Sequence, residues 1–289
     1  MGKYALLRKR VEDSGIARLS EPAAALDEDI LRAHDPEYLQ KLVSGSLTRD
    51  EEQALGLPWS PQLLLRARYS AGATLAACRS ALADGVGVSL AGGTHHAHRD
   101  RGAGFCVFND SAIAARTMQA EGRAERVLIV DCDVHQGDGT AAIFEDDGTV
   151  FTFSIHAASN YPFVKRRSDL DVALPDGAGD AQYMEALAPA LEEALERAGA
   201  DLVIYLAGAD AYAGDRLGKL SLSKKGLARR DRHVLHACRA RGLPVAVTMG
   251  GGYAEPIEDT VAIYFNTVKA AAQTAGHRSS GVRRASGPR

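Results

Sequence analysis

The stretch RVLIVDCDVHQGDG, residues 126–139, decides how the rest of the chain is read. Its apolar run, Val127 to Val130, is short and leads into glycines, which fits a strand buried on both faces, the habit of parallel sheets. Beyond that run Asp131, Asp133 and His135 alternate. Period-two spacing puts their side chains on one side of the strand end. Asp138 follows in a glycine-flanked turn. Three carboxylates beside an imidazole repel one another unless something positive sits among them, and a divalent cation is the simplest answer. The plainer alternative has Asp138 capping the next helix while Asp131 and Asp133 take backbone amides.

The same alternation of strand and helix extends outward. VGVSLAGG, TVFTFSIH, DLVIYLAGAD and LPVAVTMGGGY read as further buried strands. Between them, SPQLLLRARYSAGATLAACRSALADG reads as a helix started at Ser60-Pro61 and ended by glycine. DSAIAARTMQAEG and KKGLARRDRHVLHACRARG are also helical, as are DAQYMEALAPALEEALERAGA, with a kink expected at Pro189, and a last helix from about Ile257 to Ala275. The first sixty residues read as helical, with DEDILRAHDPEYLQKLV as one amphipathic stretch. The fold class is therefore α/β: a single domain over residues 1–275, with a central, mostly parallel sheet covered by helices on both faces. In such sheets ligands gather at the carboxyl ends of the strands. Residues 276–289, small, polar and basic, read as a disordered tail.

Those carboxyl ends collect the chemistry. Asp210 closes DLVIYLAGAD, so Asp133, His135 and Asp210 offer an O, N, O ligand set. Three protein ligands leave a position open, as in catalytic rather than structural sites, and suit zinc or ferrous iron. His95 and His96, in GGTHHAHRDRGAGFCVFND (92–110), end another strand and can carry protons if carboxylates orient them, for which Asp131 and Asp138 are available. His98, followed by Arg-Asp-Arg-Gly, is expected at the rim, and His156 as a packed residue without a role. Gly251 and Gly252 let a backbone come close to a ligand, and Tyr253 can donate to a developing oxyanion.

Composition sets the outer limits. With 34 basic and 37 acidic residues, the net charge of −3 gives no global pull toward nucleic acid. No apolar run approaches the roughly 18–20 residues of a membrane span. Cys78, Cys106, Cys132 and Cys238 form no CxxC pair and read as free thiols of a cytoplasmic protein.

The segments GGTHHAHRDRGAGFCVFND, VDCDVHQGDGT, AGAD and GGGY, in this order, resemble the signature segments of the histone deacetylase superfamily, which has the arginase–deacetylase fold. The similarity runs from about Ala5 to Ala275. GDRLGKLSLSKKGLARRD (214–231) is most similar to the class IV branch and its bacterial relatives. The resemblance implies a zinc-dependent deacetylase. Its metal ligands fall on Asp133, His135 and Asp210, its tandem histidines on His95 and His96, their carboxylates on Asp131 and Asp138, and its transition-state tyrosine on Tyr253. It implies an acyl-lysine tunnel with Gly104 and Phe105 as floor and wall and Tyr161 opposite. It also implies a structural potassium held by Asp131, Asp133, His135, Ser154 and Ile155.

The implied substrate is an acylated lysine in a protein or peptide; acetylpolyamines and other small acylated amines are the alternative, and an inactive acyl-lysine-binding protein a third. Two departures stand out. FVKRRSD follows Tyr161-Pro162 where relatives carry a glycine, and MGKYALL begins where relatives have a preceding strand, so a first edge strand is expected to be missing.

Overall fold

The structure, a computed structural model, describes residues 2–276. The expected tail from residue 277 onward lies outside the described residues. Among the described residues six strands form one sheet: β1 (Val86–Val88), β2 (Val127–Asp131), β3 (Val150–Ala157), β4 (Leu170–Leu174), β5 (Leu202–Gly208) and β6 (Val245–Gly250). Their order is β1-β6-β5-β2-β3-β4, and every neighbouring pair is parallel. β2, β5 and β6 are buried along their whole length. That burial is what their uninterrupted Val/Ile/Leu content demands, each such side chain contributing roughly 1.5–3 kcal/mol when removed from water.

Helices cover both faces, and two short ones, α4 (Arg49–Leu55) and α7 (Asp138–Phe144), complete the set among the described residues. α1 (Gly2–Ser14), α8 (Asp180–Ala198), α9 (Lys224–Ala240) and α10 (Ile257–Gly276) close one apolar core with Val130, Tyr205 and Val247. α3 (Pro36–Ser44), α5 (Pro61–Asp84) and α6 (Asp110–Ala120) close the other with Ile129, Ile204 and Ala246. Alternate residues of one strand serve opposite cores, as the pleat requires. α5 starts where Ser60 Oγ accepts from Leu63 N at 3.1 Å and ends at Gly85, whose φ of +92° is the left-handed stop.

Three sequence expectations change. The stretch 27–43 is two helices, α2 (Asp27–Ile30) and α3, because Pro36 must start a new helix and Asp35 stands before it in an extended conformation. The break turns His34 inward, where it is 1% exposed. β4 was not anticipated; it is a short edge strand with alternating burial, hidden among polar residues. Pro189 lies inside α8, which runs on to Ala198, so the proline does not end the helix. Among the described residues no helix is long and apolar enough to cross a membrane. All four cysteines are buried free thiols.

Candidate active site

Strand order brings the metal-type residues together. β2 and β5 are neighbours with Asp131 opposite Leu206, so Asp133 comes beside Gly208, and both the Asp133 and Asp210 carboxylates crowd that glycine. One ligand-type atom from each of Asp133, His135 and Asp210 lies within 4.8 Å of the others. His135 Nδ1 is 2.9 Å from Asp133 Oδ1 and 3.4 Å from Asp210 Oδ2. Asp210 Oδ1 accepts from Val134 N at 2.9 Å, which aims Oδ2 inward, where it is buried without a hydrogen-bond partner. A buried carboxylate oxygen left over in a nest of O and N donors fits a bound divalent cation. Burial and the Asp133 charge push the Asp210 carboxyl above its ordinary value. Burial alone would raise Asp133 too, but His95 and His135 outweigh it and hold its carboxyl low. His135 would be depressed by burial, yet its bond to Asp133 and the nearby Asp210 carboxylate lift it to about 10. The set attracts positive charge, and a metal ion would supply it in place of the proton.

The histidine pair stands beside this set. His95 Nδ1 is 2.6 Å from Asp131 Oδ2, and His96 Nδ1 is 2.6 Å from Asp138 Oδ1. An ionised carboxylate only accepts, so each Nδ1 carries the proton and each Nε2 is left for the site. The two rings are 4.1 Å apart between centroids. Burial would depress His95, but Asp131 and Asp133 raise it to about 9. Burial and the neighbouring His95 drive His96 down to about 4 despite Asp138. The two adjacent imidazoles are thus pushed in opposite directions.

His98 corrects the sequence reading. It is 6% exposed, not at the rim, and its Nε2 lies 3.1 Å from Asp138 Oδ2, so two imidazoles share one carboxylate. His156 packs as expected, with Nδ1 3.0 Å from Ser154 Oγ.

The histidine loop is fixed by residues that sequence reasoning passed over. Asp110 Oδ1 accepts from Thr94 N at 2.8 Å and Oδ2 from Gly93 N at 3.0 Å. Asn109 caps α6 through Ala112 N, and its Nδ2 donates to Ala97 O at 3.2 Å and Thr140 Oγ1 at 3.0 Å. Asn109 N in turn donates to His34 Nε2 at 2.9 Å. The sequence placed a helix from Asp110 onward, but not the bonds that Asn109 and Asp110 make back to the preceding loop.

Comparison with known proteins decides the kinship. The family model of the histone deacetylase domain matches residues 2–270. The chain belongs to the histone deacetylase family. It is 51% identical to an uncharacterized protein of Picosynechococcus sp. over 79% of this chain and 76% of that one. It is 32% identical to histone deacetylase 2 of Arabidopsis thaliana, covering 81% of this chain and 62% of that protein. It is also 32% identical to a histone deacetylase-like amidohydrolase of Pseudomonas aeruginosa, over 86% and 70%. A histone deacetylase homologue solved with SAHA shares the fold at a TM-score of 0.80, with 23% identity over 94% of this chain and 77% of that one.

The residues expected to flank a substrate gather in one cavity of about 1580 Å³ that also reaches Asp133, His135, Asp210, His95 and His96. Gly104, Phe105, Tyr161, Gly251 and Tyr253 line it. The Phe105 and Tyr253 rings are 6.3 Å apart, and the Tyr161 ring stands edge-on to His96 at 4.8 Å. Gly104, at φ +52°, brings its backbone so close that a Cβ would lie 2.6 Å from the His96 ring. A Cβ at Gly251 would overlap Asp210 Oδ2. Gly252 follows at φ +81°, and Tyr253 N donates to Asp215 Oδ2 at 2.6 Å. Burial raises the Tyr253 phenol to about 12, so it keeps its proton.

Lys3 was not anticipated at all. It is 8% exposed, its ammonium donates to the carbonyls of Gly251 and Gly252, and it lies 4.7 Å from the centre of the Tyr253 ring. Its pKa is lowered by burial, against the pull of Asp210, Asp133 and Asp215. The Tyr264 hydroxyl is shared between the carbonyls of Gly250 and Gly251, at 2.9 and 2.7 Å. No local pattern around Lys3 announces this, because the contact spans nearly the whole chain.

Proposed function

We propose that the protein is a metal-dependent amidohydrolase that removes an acetyl or longer acyl group from the side-chain amine of acyl-lysine in proteins or peptides. The observation that carries the reading is the buried Asp133, His135 and Asp210 set beside two carboxylate-held histidines in one open cavity. Those three residues would hold the ion, zinc or ferrous iron by donor type; when bound, it would polarise the acyl carbonyl and acidify water, its pKa falling to roughly 7 in favourable sites.

The remaining chemistry belongs to the chain. His96 is neutral at pH 7, with Nδ1 on Asp138 and Nε2 open, so it takes a proton from attacking water and returns it to the leaving amine. His95, held by Asp131, serves mainly as an electrostatic partner beside the ion site. Tyr253 donates its phenol proton in a hydrogen bond to the oxyanion. Gly104, Phe105 and Tyr161 flank the acyl-lysine stem, while Gly251 and Gly252 let the backbone close against it. Asp131, Asp133, His135, Ser154 and Ile155, partly through backbone carbonyls, are assigned a structural potassium. The buried thiols suit a reducing cytoplasm.

Lysine carriers are favoured over polyamines by the cavity mouth. Phe105, Phe163 and Leu217 are exposed among its lining residues and offer a polycation no negative charge. The test is a panel of acetyl-lysine peptides, longer acyl-lysine peptides and acetylpolyamines under one condition. Highest kcat/KM on a lysine peptide is expected. Preference for an acetylpolyamine would reassign the substrate, and binding without turnover of any member would make the protein a reader rather than a hydrolase.

A further inference from the structure

A buried ion pair lies beneath the strand ends that carry Asp133 and Asp210. Arg230 and Asp231, consecutive on α9, are both 0% exposed. Arg230 Nε and Nη2 donate to Asp231 Oδ1 at 2.9 and 2.8 Å. Asp231 Oδ1 also accepts from Tyr205 Oη at 2.7 Å, and its Oδ2 from Thr267 Oγ1 at 2.6 Å. The remaining guanidinium arm leaves this pair. Nη1 donates to Cys132 O at 3.0 Å and to Gly208 O at 2.7 Å.

Those two carbonyls belong to different strands at the point where the sheet ladder stops. Cys132 N still donates to Leu206 O at 3.0 Å, and beyond it Val134 N turns to the Asp210 side chain at 2.9 Å. Cys132 O is in the peptide unit that precedes Asp133, and Gly208 O is one residue before Ala209-Asp210. Each unit is also pinned on its N–H side. Asp133 N donates to Asp131 Oδ1 at 3.0 Å, and Ala209 N to Gly250 O at 3.0 Å. With both ends of each unit held, the peptide planes cannot swing.

We infer that Arg230 is a positioning residue for metal binding: one guanidinium nitrogen clips the β2 and β5 ends together and so sets the spacing between the Asp133 and Asp210 carboxylates. A guanidinium suits this because its rigid fork serves Asp231 on one side and two carbonyls on the other; a lysine offers three donors from a single nitrogen and cannot span both. A buried charge pair is a weak stabiliser in itself, because desolvation offsets the attraction, so geometry is what the pair supplies. The inference rests on the reading that Asp133, His135 and Asp210 hold a divalent ion.

The test is metal affinity of the full chain, measured by competition with a chromophoric chelator, together with the visible spectrum of the Co²⁺-loaded protein. Arg230→Met combined with Asp231→Asn removes the clip without stranding a charge; the new amide can still accept from Tyr205 and donate to Thr267. Arg230→Lys is the milder variant and retains the ion pair. Val234→Ala, a fully buried position on the same helix, controls for general loosening. Both Arg230 variants should bind metal about 10- to 100-fold more weakly and show an altered Co²⁺ spectrum. Val234→Ala should lower the melting temperature and leave both readouts unchanged. Unchanged affinity and spectrum in a folded Arg230 variant would overturn the inference while leaving the metal reading intact. No metal binding by the wild-type chain would remove that reading and this inference together.

Discussion

The Asp138 carboxylate bridges two imidazoles, with Oδ1 2.6 Å from His96 Nδ1 and Oδ2 3.1 Å from His98 Nε2. Burial would raise Asp138, but the two histidines overcome it and hold the carboxyl low. Asp138 therefore stays ionised and fixes the His96 tautomer. Asp138→Asn should lower kcat by about 10²–10⁴-fold, the usual worth of a general base, because an amide can present its N–H to His96 and leave the wrong nitrogen protonated. His98→Gln should cost less than the Asp138 change, since Oδ1 still holds His96. Steady-state kinetics on an acetyl-lysine peptide, with circular dichroism to verify folding, separates the two; equal losses would remove the distinction.

Tyr253 is partly exposed and its ring is not part of either apolar core. Tyr253→Phe should therefore leave the melting temperature nearly unchanged. It should lower kcat by about 10²–10³-fold, as for removal of one oxyanion donor, with a smaller change in KM. Undiminished turnover would take the phenol out of the scheme.

Lys3 and Tyr264 together hold the Gly250–Gly252 carbonyls. Lys3→Met leaves the Gly252 carbonyl without that donor and frees the loop that carries Tyr253. A loss in kcat of about 10- to 100-fold is expected, the scale of a small misplacement of a catalytic group. Lys3→Arg should recover part of it, because a guanidinium can reach the same carbonyls. Steady-state kinetics on the same peptide checks both variants, and an unchanged kcat in Lys3→Met would show that the loop holds its place without the ammonium.

His34 Nε2 accepts from Asn109 N at 2.9 Å, which requires the neutral ring. Burial lowers its pKa from 6.5 to about 4. The unfolded chain then binds more protons than the folded one between these values. The stability tied to His34 is complete above pH 6.5 and is lost as the pH falls toward 4, by about 3 kcal/mol in all. His34→Gln should flatten this part of the profile. Urea unfolding at a series of pH values from neutral down toward 4 measures it; identical slopes in both proteins would contradict the assignment.

The strand ends were readable because their chemistry is local. Asp131, Asp133 and His135 follow a period of two, and the apolar runs that carry them could not be placed at a surface. His98 was misread for the same reason, since its neighbours Arg99, Asp100 and Arg101 are polar while its own ring turns inward to a carboxylate 40 residues away. Lys3, Arg230 and the loop-binding side of Asn109 depend on contacts between distant segments, and no spacing rule reports those. The break at Pro36 was visible as a proline, but its consequence, His34 under the histidine loop, needed the packed α6.

The central claim is that Asp133, His135 and Asp210 hold a divalent ion required for hydrolysis of acyl-lysine. Turnover of an acetyl-lysine peptide should be measured on the purified protein, after stripping with a chelator, and after return of one equivalent of zinc or ferrous iron. The account predicts activity lost on stripping and restored by the metal. Full turnover by protein shown to contain no divalent metal would contradict it.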